Sequence, residues 1–440
     1  MIGLSIATLL FVVGHLAVWC TLFNQIHATR CPRSARKGSE LLTLLNVGVL
    51  GGAAAYMLLV YPNWLHPQTL WQAASVGWQS LAALGSSATE LGAEAGPWSS
   101  HARPTGSSGP LYVLAAYWHG CCLLSFFFIV RWIFWQMTIR RPDFFVEENL
   151  EFYDMEDEDP ELLNGLPAQL IHALLPGSQL LVLSVEFKTF EFPHLPAAFD
   201  GYRISHLSDL HFTGRIGKAY FRQVFERCLQ WDPHLICITG DLIDKAKCLD
   251  WIEELLGELQ APDGVYFILG NHDRRIKNEV MLRSRLADCG LTDANGRYWS
   301  IERCTGHRAA RLWLAGNELP WYGGAEKLEP VDALRTPQTD DFFVALSHSP
   351  DQWPWAKRMG FDLMLAGHTH GGQVCLPIIG PIVAPSRFGV RYAGGVFQVG
   401  SMAMQVSRGI SGAEPLRWNC PPELCQLTLR RGNPGAKPRD

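Results

Sequence analysis

The 12 cysteines of this 440-residue chain form no repeated Cys-x-x-Cys pattern. That excludes a zinc ribbon and a disulfide framework and leaves buried, reduced thiols. An excess of basic charge is missing too. The formal net charge is −5, so there is no electrostatic footprint for nucleic acid, and none is expected as a partner. Charge of either sign is absent from Met1 to Phe23 and from Leu41 to Tyr61, and Pro110 to Met137 carries only Arg131. Each run reaches the ~20 residues a membrane helix needs. Met1–Phe23 lacks the basic amino end and the clean cleavage site of a secretory signal, so it reads as a helix that stays. Gly51-Gly52-Ala53-Ala54-Ala55 offers a close-packing surface in the second run.

Loop charges orient these three expected transmembrane helices (about 1–23, 41–61 and 110–137). The first loop holds Arg30, Arg33, Arg36 and Lys37, whereas Pro62–Gly109 has Arg103 alone, and Arg140 and Arg141 follow the third run. Positive residues stay inside, so the first loop and everything after the third helix face the cytoplasm. The chain then divides into a membrane region (1–140), an acidic linker (141–179), a domain that reads as a soluble enzyme (180–430) and a flexible tail (431–440). The linker contains "EENLEFYDMEDEDPE", a charge run of the kind that is usually solvated.

Beyond the linker, apolar runs alternate with helical patterns, and five of the runs end in polar clusters. "RISHLSDLH" ends in Asp209-Leu210-His211, and "LICITGDLID" runs into Gly240-Asp241. "VYFILGNHD" ends in Gly270-Asn271-His272-Asp273, "FFVALSH" in His348, and "LMLAGHTHGG" in His368-Thr369-His370. Strands interleaved with helices and ending in polar residues define an α/β fold whose site lies at the strand ends. Each cluster alone is common, but independent accidents do not place every one at the end of an apolar run. Carboxylates, an amide and imidazoles together suit Mn, Fe or Zn. They are too many for one tetrahedral ion, and carboxylates bridge, so two divalent metal ions follow.

The ordered set Asp-x-His, Gly-Asp, Gly-Asn-His-Asp, His and Gly-His-x-His resembles the calcineurin-like metallophosphoesterase superfamily over about Tyr202–Leu429. "AGHTHGGQVCLPIIG" and "SRGISGAEPLRWNCPPELCQLTL" are similar to its bacterial membrane-anchored phosphodiesterase branch. The resemblance implies a metallophosphoesterase β-sandwich flanked by helices, preceded here by an α-helical transmembrane region in the inner (cytoplasmic) membrane. It implies that Asp209, His211, Asp241 and His370 hold one metal, that Asp241, Asn271, His348 and His368 hold the other, and that Asp241 bridges them. It further implies that His272 faces the substrate as general acid, that Asp273 orients it, and that a metal-activated hydroxide attacks phosphorus in line with the leaving oxygen.

The function expected is hydrolysis of a phosphodiester or diphosphate. Its sharpest version has a lipid-linked substrate such as UDP-2,3-diacylglucosamine, which one relative of that branch cleaves. A broad phosphomonoesterase or nucleotide hydrolase uses the same ligands and stays open. A non-catalytic metal-binding membrane scaffold ranks behind, because every motif position is intact. Gly371 and Gly372 are read as leaving the metals approachable. Arg408 and Asn419 are read as substrate or structural contacts, and Arg274 and Arg275 chiefly as surface charge. Nothing in the sequence bears on oligomeric state.

Overall fold

The computed structural model describes residues 2–28, 37–39, 42, 109–138, 142–157, 162–305, 308–336 and 339–432. Contacts divide the chain into two units, residues 1–23 with 32–139 and residues 24–31 with 140–440. In the first, Ile2–His27 and Gly109–Thr138 are helices of 26 and 30 residues. The expected second span (41–61), the 62–109 loop and the tail after Gly432 lie outside the described residues. Among the described residues no helix is long and apolar enough to cross a membrane, so the expected transmembrane region lacks structural support.

The second unit is built on two mixed sheets. The seven-stranded sheet runs β1 (Phe145–Asp154), β2 (Val182–Phe192), β15 (Glu423–Arg431), β3 (Tyr202–Leu207), β4 (Leu235–Thr239), β5 (Val265–Ile268), β6 (Leu291–Asp293). The six-stranded sheet runs β13 (Gly395–Val399), β14 (Met402–Val406), β10 (Leu363–Ala366), β9 (Thr339–Ser347), β8 (Arg308–Asn317), β7 (Tyr298–Thr305). A small hairpin, β11 (Cys375–Leu376) and β12 (Gly380–Pro381), stands apart from both.

Side chains alternate across a strand, and the cores follow that period. Leu235 and Cys237 of β4 join Leu312, Leu314, Val344, Leu346, Leu363 and Leu365 in the core between the sheets. Ile236 and Ile238 point the other way and pack with Phe221, Val224, Ile252 and Leu286. These come from the helices Lys218–Gln230, Trp251–Leu255 and Glu279–Asp288. On the outer face of the second sheet, Phe343, Ala345, Met364 and Met404 pack with Trp355 and Met359. The result is a β-sandwich with a helical layer outside each sheet.

The acidic linker is not what the charge run predicts. Its first half is β1, paired antiparallel with β2 from Phe145↔Phe190 to Asp154↔Val182. Phe145, Leu150 and Phe152 interrupt the acids, and backbone pairing at a sheet edge tolerates exposed charge on both faces. The second half includes the helix Leu166–Leu174. Cys20, Cys121 and the eight cysteines from Cys228 to Cys425 are free thiols, six of them buried and Cys304 exposed.

Candidate metal centre

Strands β3, β4 and β5 run parallel, as do β9 and β10, so their carboxyl ends open on one side of the sandwich. Each sheds a short loop there. Asp209 and His211 follow β3, Asp241 follows β4, Asn271 and His272 follow β5, His348 follows β9, and His368 and His370 follow β10. Three overlapping triads bring ligand atoms within 4.8 Å of one another: Asp209–His211–His370, His211–Asp241–His272 and Asp241–His348–His368. Asn271 joins the third through its Oδ1, 3.1 Å from His348 Nε2.

Local backbone makes this convergence possible. Asp209, His211, Asp241, His368 and His370 all have φ between 46° and 73°, a conformation that costs a non-glycine residue energy and clusters at functional sites. Gly270 and Gly367 have ordinary φ, but a Cβ at either would collide with Asp241 or with Ser208 and Asp209. Their role is space, which a reading by turn propensity alone does not separate from flexibility.

Each carboxylate is divided between scaffold and centre. Asp209 Oδ2 accepts from Ser208 Oγ (2.6 Å) and the His368 amide (2.9 Å), while Oδ1 lies 3.7 Å from His211 Nε2 and 3.4 Å from His370 Nε2. Asp241 Oδ1 accepts from the His272 amide (2.7 Å), while Oδ2 lies 3.6 Å from His211 Nε2 and 3.2 Å from His348 Nε2. That second oxygen therefore sits between the two outer triads. The imidazoles are oriented from behind. His348 Nδ1 faces the Thr239 carbonyl at 2.7 Å, His370 Nδ1 the Ser411 carbonyl at 3.2 Å, and His211 Nδ1 the Asp244 carboxylate at 2.6 Å. Each ring so held directs Nε2 inward, as a ligand's outer partner does.

Among the proposed ligands, two buried atoms have no hydrogen-bond partner: Asp209 Oδ1 and His368 Nε2. An unpaired buried polar atom costs about 1–3 kcal/mol, and a cation at each end of the cluster would remove that cost. The donor set of carboxylate oxygens, imidazole nitrogens and one amide oxygen fits first-row divalent ions. Burial lowers His368, with charge on His348 acting the same way, and it lowers His370 to about 3. Burial also works against protons on His211 and His348, but carboxylates prevail. Asp244 chiefly lifts His211 to about 10, and Asp241 lifts His348 to about 9. The carboxyls of Asp209 and Asp241 are held low against burial, by His370 and His348 foremost.

The partner of His272 is not the one expected. Asp273 is buried, and its oxygens accept from the amides of Leu242 (3.0 Å), Ile243 (2.9 Å) and Gly270 (2.7 Å), tying two site loops together. The carboxylate on the ring is Asp244, with Oδ1 2.6 Å from His272 Nδ1 and Oδ2 on His211. Sequence reasoning passed over Asp244, although it stands three residues after Asp241 in "GDLID". Adjacency favoured Asp273, but its carboxylate turns to backbone amides of its own loop and of the loop after β4. Arg275 is no free surface charge. It pairs with Asp244, and its Nη2 lies 3.3 Å from His272 Nε2.

Other candidate residues are scaffold. Arg408 pairs with buried Glu186, and Asn419 donates to the Cys375 carbonyl. Gly371 and Gly372 do not leave the approach open, because a Cβ would meet Cys420 and Arg408 at the first and Pro381 at the second. Arg417, fully buried, was overlooked, and it donates to the His370 carbonyl at 3.0 Å. Trp321 was overlooked as well. Its ring centroid lies 4.8 Å from that of His368 and 5.3 Å from that of His348, closing the centre with an apolar wall.

The calcineurin-like phosphoesterase family pattern matches residues 202–372, the stretch that carries all five loops. A Bacillus subtilis metallophosphoesterase, YkuE, is 30% identical over 244 residues, covering 54% of this chain and 82% of that protein. Phosphodiesterase YaeI of Escherichia coli is 28% identical over 232 residues, covering 52% and 82%. UDP-2,3-diacylglucosamine pyrophosphatase LpxG of Chlamydia muridarum is 24% identical over 288 residues, covering 53% and 84%. The chain belongs to the calcineurin-like phosphoesterase family and is a metal-dependent phosphoesterase.

Proposed function

We propose that this phosphoesterase hydrolyses a phosphodiester or diphosphate through two divalent ions, one held by Asp209, His211, Asp241 and His370 and the other by Asp241, Asn271, His348 and His368. The observation that carries the reading is Asp241 Oδ2, which lies 3.6 Å from His211 of one outer group and 3.2 Å from His348 of the other, while an unpartnered atom, Asp209 Oδ1 or His368 Nε2, lies in each. Bound there, the ions supply positive charge to phosphoryl oxygens and make a water more acidic. The chain's own residues do the rest. His272 keeps 17% of its side chain exposed, against 13% for His370 and none for His211 and His348, and so is the most accessible of these imidazoles to substrate. Asp244 holds its Nδ1, which leaves Nε2 to donate a proton to the leaving oxygen. Arg275, beside that nitrogen, gives charge to the same phosphoryl group. Trp321 limits water on the far side of the His348–His368 pair.

For the substrate, a lipid-linked diphosphate is the sharper version, supported by the relative named for a UDP-lipid pyrophosphatase. Attachment to the cytoplasmic face of the inner membrane belongs to the same reading. It is supported by Gly109–Thr138, where Leu123 (72% exposed) and Phe134 (67% exposed) belong to a long unburied apolar surface. Membrane fractionation checks attachment: release into the soluble fraction by alkaline carbonate would remove it. Hydrolysis tests the chemistry. Detergent-purified protein loaded with Mn²⁺ is given bis(p-nitrophenyl) phosphate, p-nitrophenyl phosphate and UDP-2,3-diacylglucosamine. Turnover of the diester or the UDP-lipid above that of the monoester is expected, and preference for the monoester would favour a general phosphatase. Asp241→Asn should lose bound metal by elemental analysis. Unchanged metal content would overturn the bridging role.

A further inference from the structure

The hairpin that leaves the His-x-His loop serves neither the centre nor the core. It begins at Cys375, turns at Pro377–Ile379 and closes by pairing Cys375↔Pro381 and Leu376↔Gly380. Ile378 at the turn is 91% exposed, with Ile379 at 54% and Ile382 at 40%. A β-branched residue with φ +68° is uncommon, and here that backbone directs an isoleucine into solvent. The base of the hairpin is rigid, because Gly372 packs so closely on Pro381 and the Val383 carbonyl that no Cβ fits. Four residues separate His370 from Cys375, so only a short stretch joins the apolar tip to the centre.

Charge along this stretch of sequence has one sign. From Leu363 to Ala413 the chain has no Asp or Glu and three arginines, Arg387, Arg391 and Arg408, in a protein whose net charge is −5. Arg387 and Arg391 are exposed, while Arg408 is committed to Glu186. Exposed isoleucines and exposed arginines on one stretch of chain match the boundary of an anionic bilayer: apolar side chains enter the acyl region and guanidinium groups meet headgroups. The acid that reaches this stretch, Asp351, is taken up by the Ser386 hydroxyl (2.6 Å) and the Arg387 amide (2.8 Å). A water-soluble partner would not need both together on a tip this small.

We infer that the Pro377–Ile382 hairpin inserts into an anionic lipid surface and holds the phosphoesterase centre against it. This rests on the phosphohydrolase reading for its purpose, not for its geometry. The test uses the full chain in nanodiscs of phosphatidylglycerol and phosphatidylcholine, with p-benzoylphenylalanine placed at position 378. A control carries it at position 280, where Val280 is also exposed. Ultraviolet light should join phospholipid to the 378 peptide, seen by mass spectrometry, and not to the 280 peptide. Adducts to a second copy, to other residues of the same chain, or to nothing would overturn the proposal. In parallel, Ile378→Asp with Ile379→Asp should raise KM for a bilayer-embedded substrate about tenfold, the order of one lost apolar contact. Turnover of soluble bis(p-nitrophenyl) phosphate should stay as in the parent. An equal fall on both substrates would overturn it. A parent protein inactive on every substrate, yet joined to lipid at 378, would refute the hydrolytic reading and leave the insertion standing.

Discussion

Two of the buried charge clusters in the catalytic domain are built by opposite rules. Around Lys188, two acids and two bases cancel. The Lys188 ammonium lies 2.5 Å from Glu186 and 3.0 Å from Glu423, and Arg408 pairs with Glu186 while its amide donates to Glu423. These four residues adopt ordinary backbone, none of them with positive φ. Carboxylates hold the Lys188 ammonium charged against the burial that would neutralise it. At the strand ends, by contrast, carboxylates and imidazoles face one another with two atoms unpartnered and five residues in the left-handed region. Buried ions that satisfy one another are scaffold. Buried groups that keep unpartnered atoms, on a backbone that costs energy to hold, form a centre fit to bind cations.

The contrast can be broken at either cluster. The largest effect belongs to His272→Ala, which should lower turnover about 10²–10⁴-fold with both metals retained, as shown by kcat beside elemental analysis. Loss of metal together with activity would make His272 a ligand instead. Lys188→Met should next cost about 3–5 kcal/mol in denaturant unfolding, since Glu186 and Glu423 then share Arg408 alone and one buried negative charge is left uncompensated. Metal content in that variant should not change. A smaller effect separates the two aspartates near His272. Asp244→Asn should weaken activity or metal affinity about 10–100-fold, as loss of a partner behind a ligand does. Asp273→Asn should act mainly on stability, through three backbone amides. If Asp273→Asn shifted the pH profile of kcat and Asp244→Asn did not, the orienting role would return to Asp273.

The smallest effect is a slope. Carboxylates keep His211 and His348 protonated up to about pH 10 and about pH 9. A metal ion must displace those protons, so lowering pH favours the proton and raising it favours the metal. Apparent affinity should therefore rise with pH through the neutral range, by up to about tenfold per unit for each proton displaced, and flatten above pH 9–10. Calorimetry in buffers of different ionisation enthalpy counts the protons released. Zero release at pH 7 would mean that both rings are already neutral.

What the sequence by itself determined was local. Strand periodicity and the polar residue ending each strand located every loop of the centre, because a strand's length and its exit are written in a few consecutive residues. The same locality misled over Phe145–Asp154, where a run of acids looked solvated and the partner that makes it a strand, β2, begins some thirty residues later. It also misled over His272, where the neighbour in sequence, Asp273, turns to backbone amides and Asp244 comes across from another loop. Lys188 sits in "VEFKTFEF" like any solvent-facing lysine of an alternating strand, yet it is buried against Glu423, 235 residues away. Pairing of this kind was decided only by the tertiary structure. Which charge meets which depends on how two sheets close over each other, and no short window of sequence contains both partners.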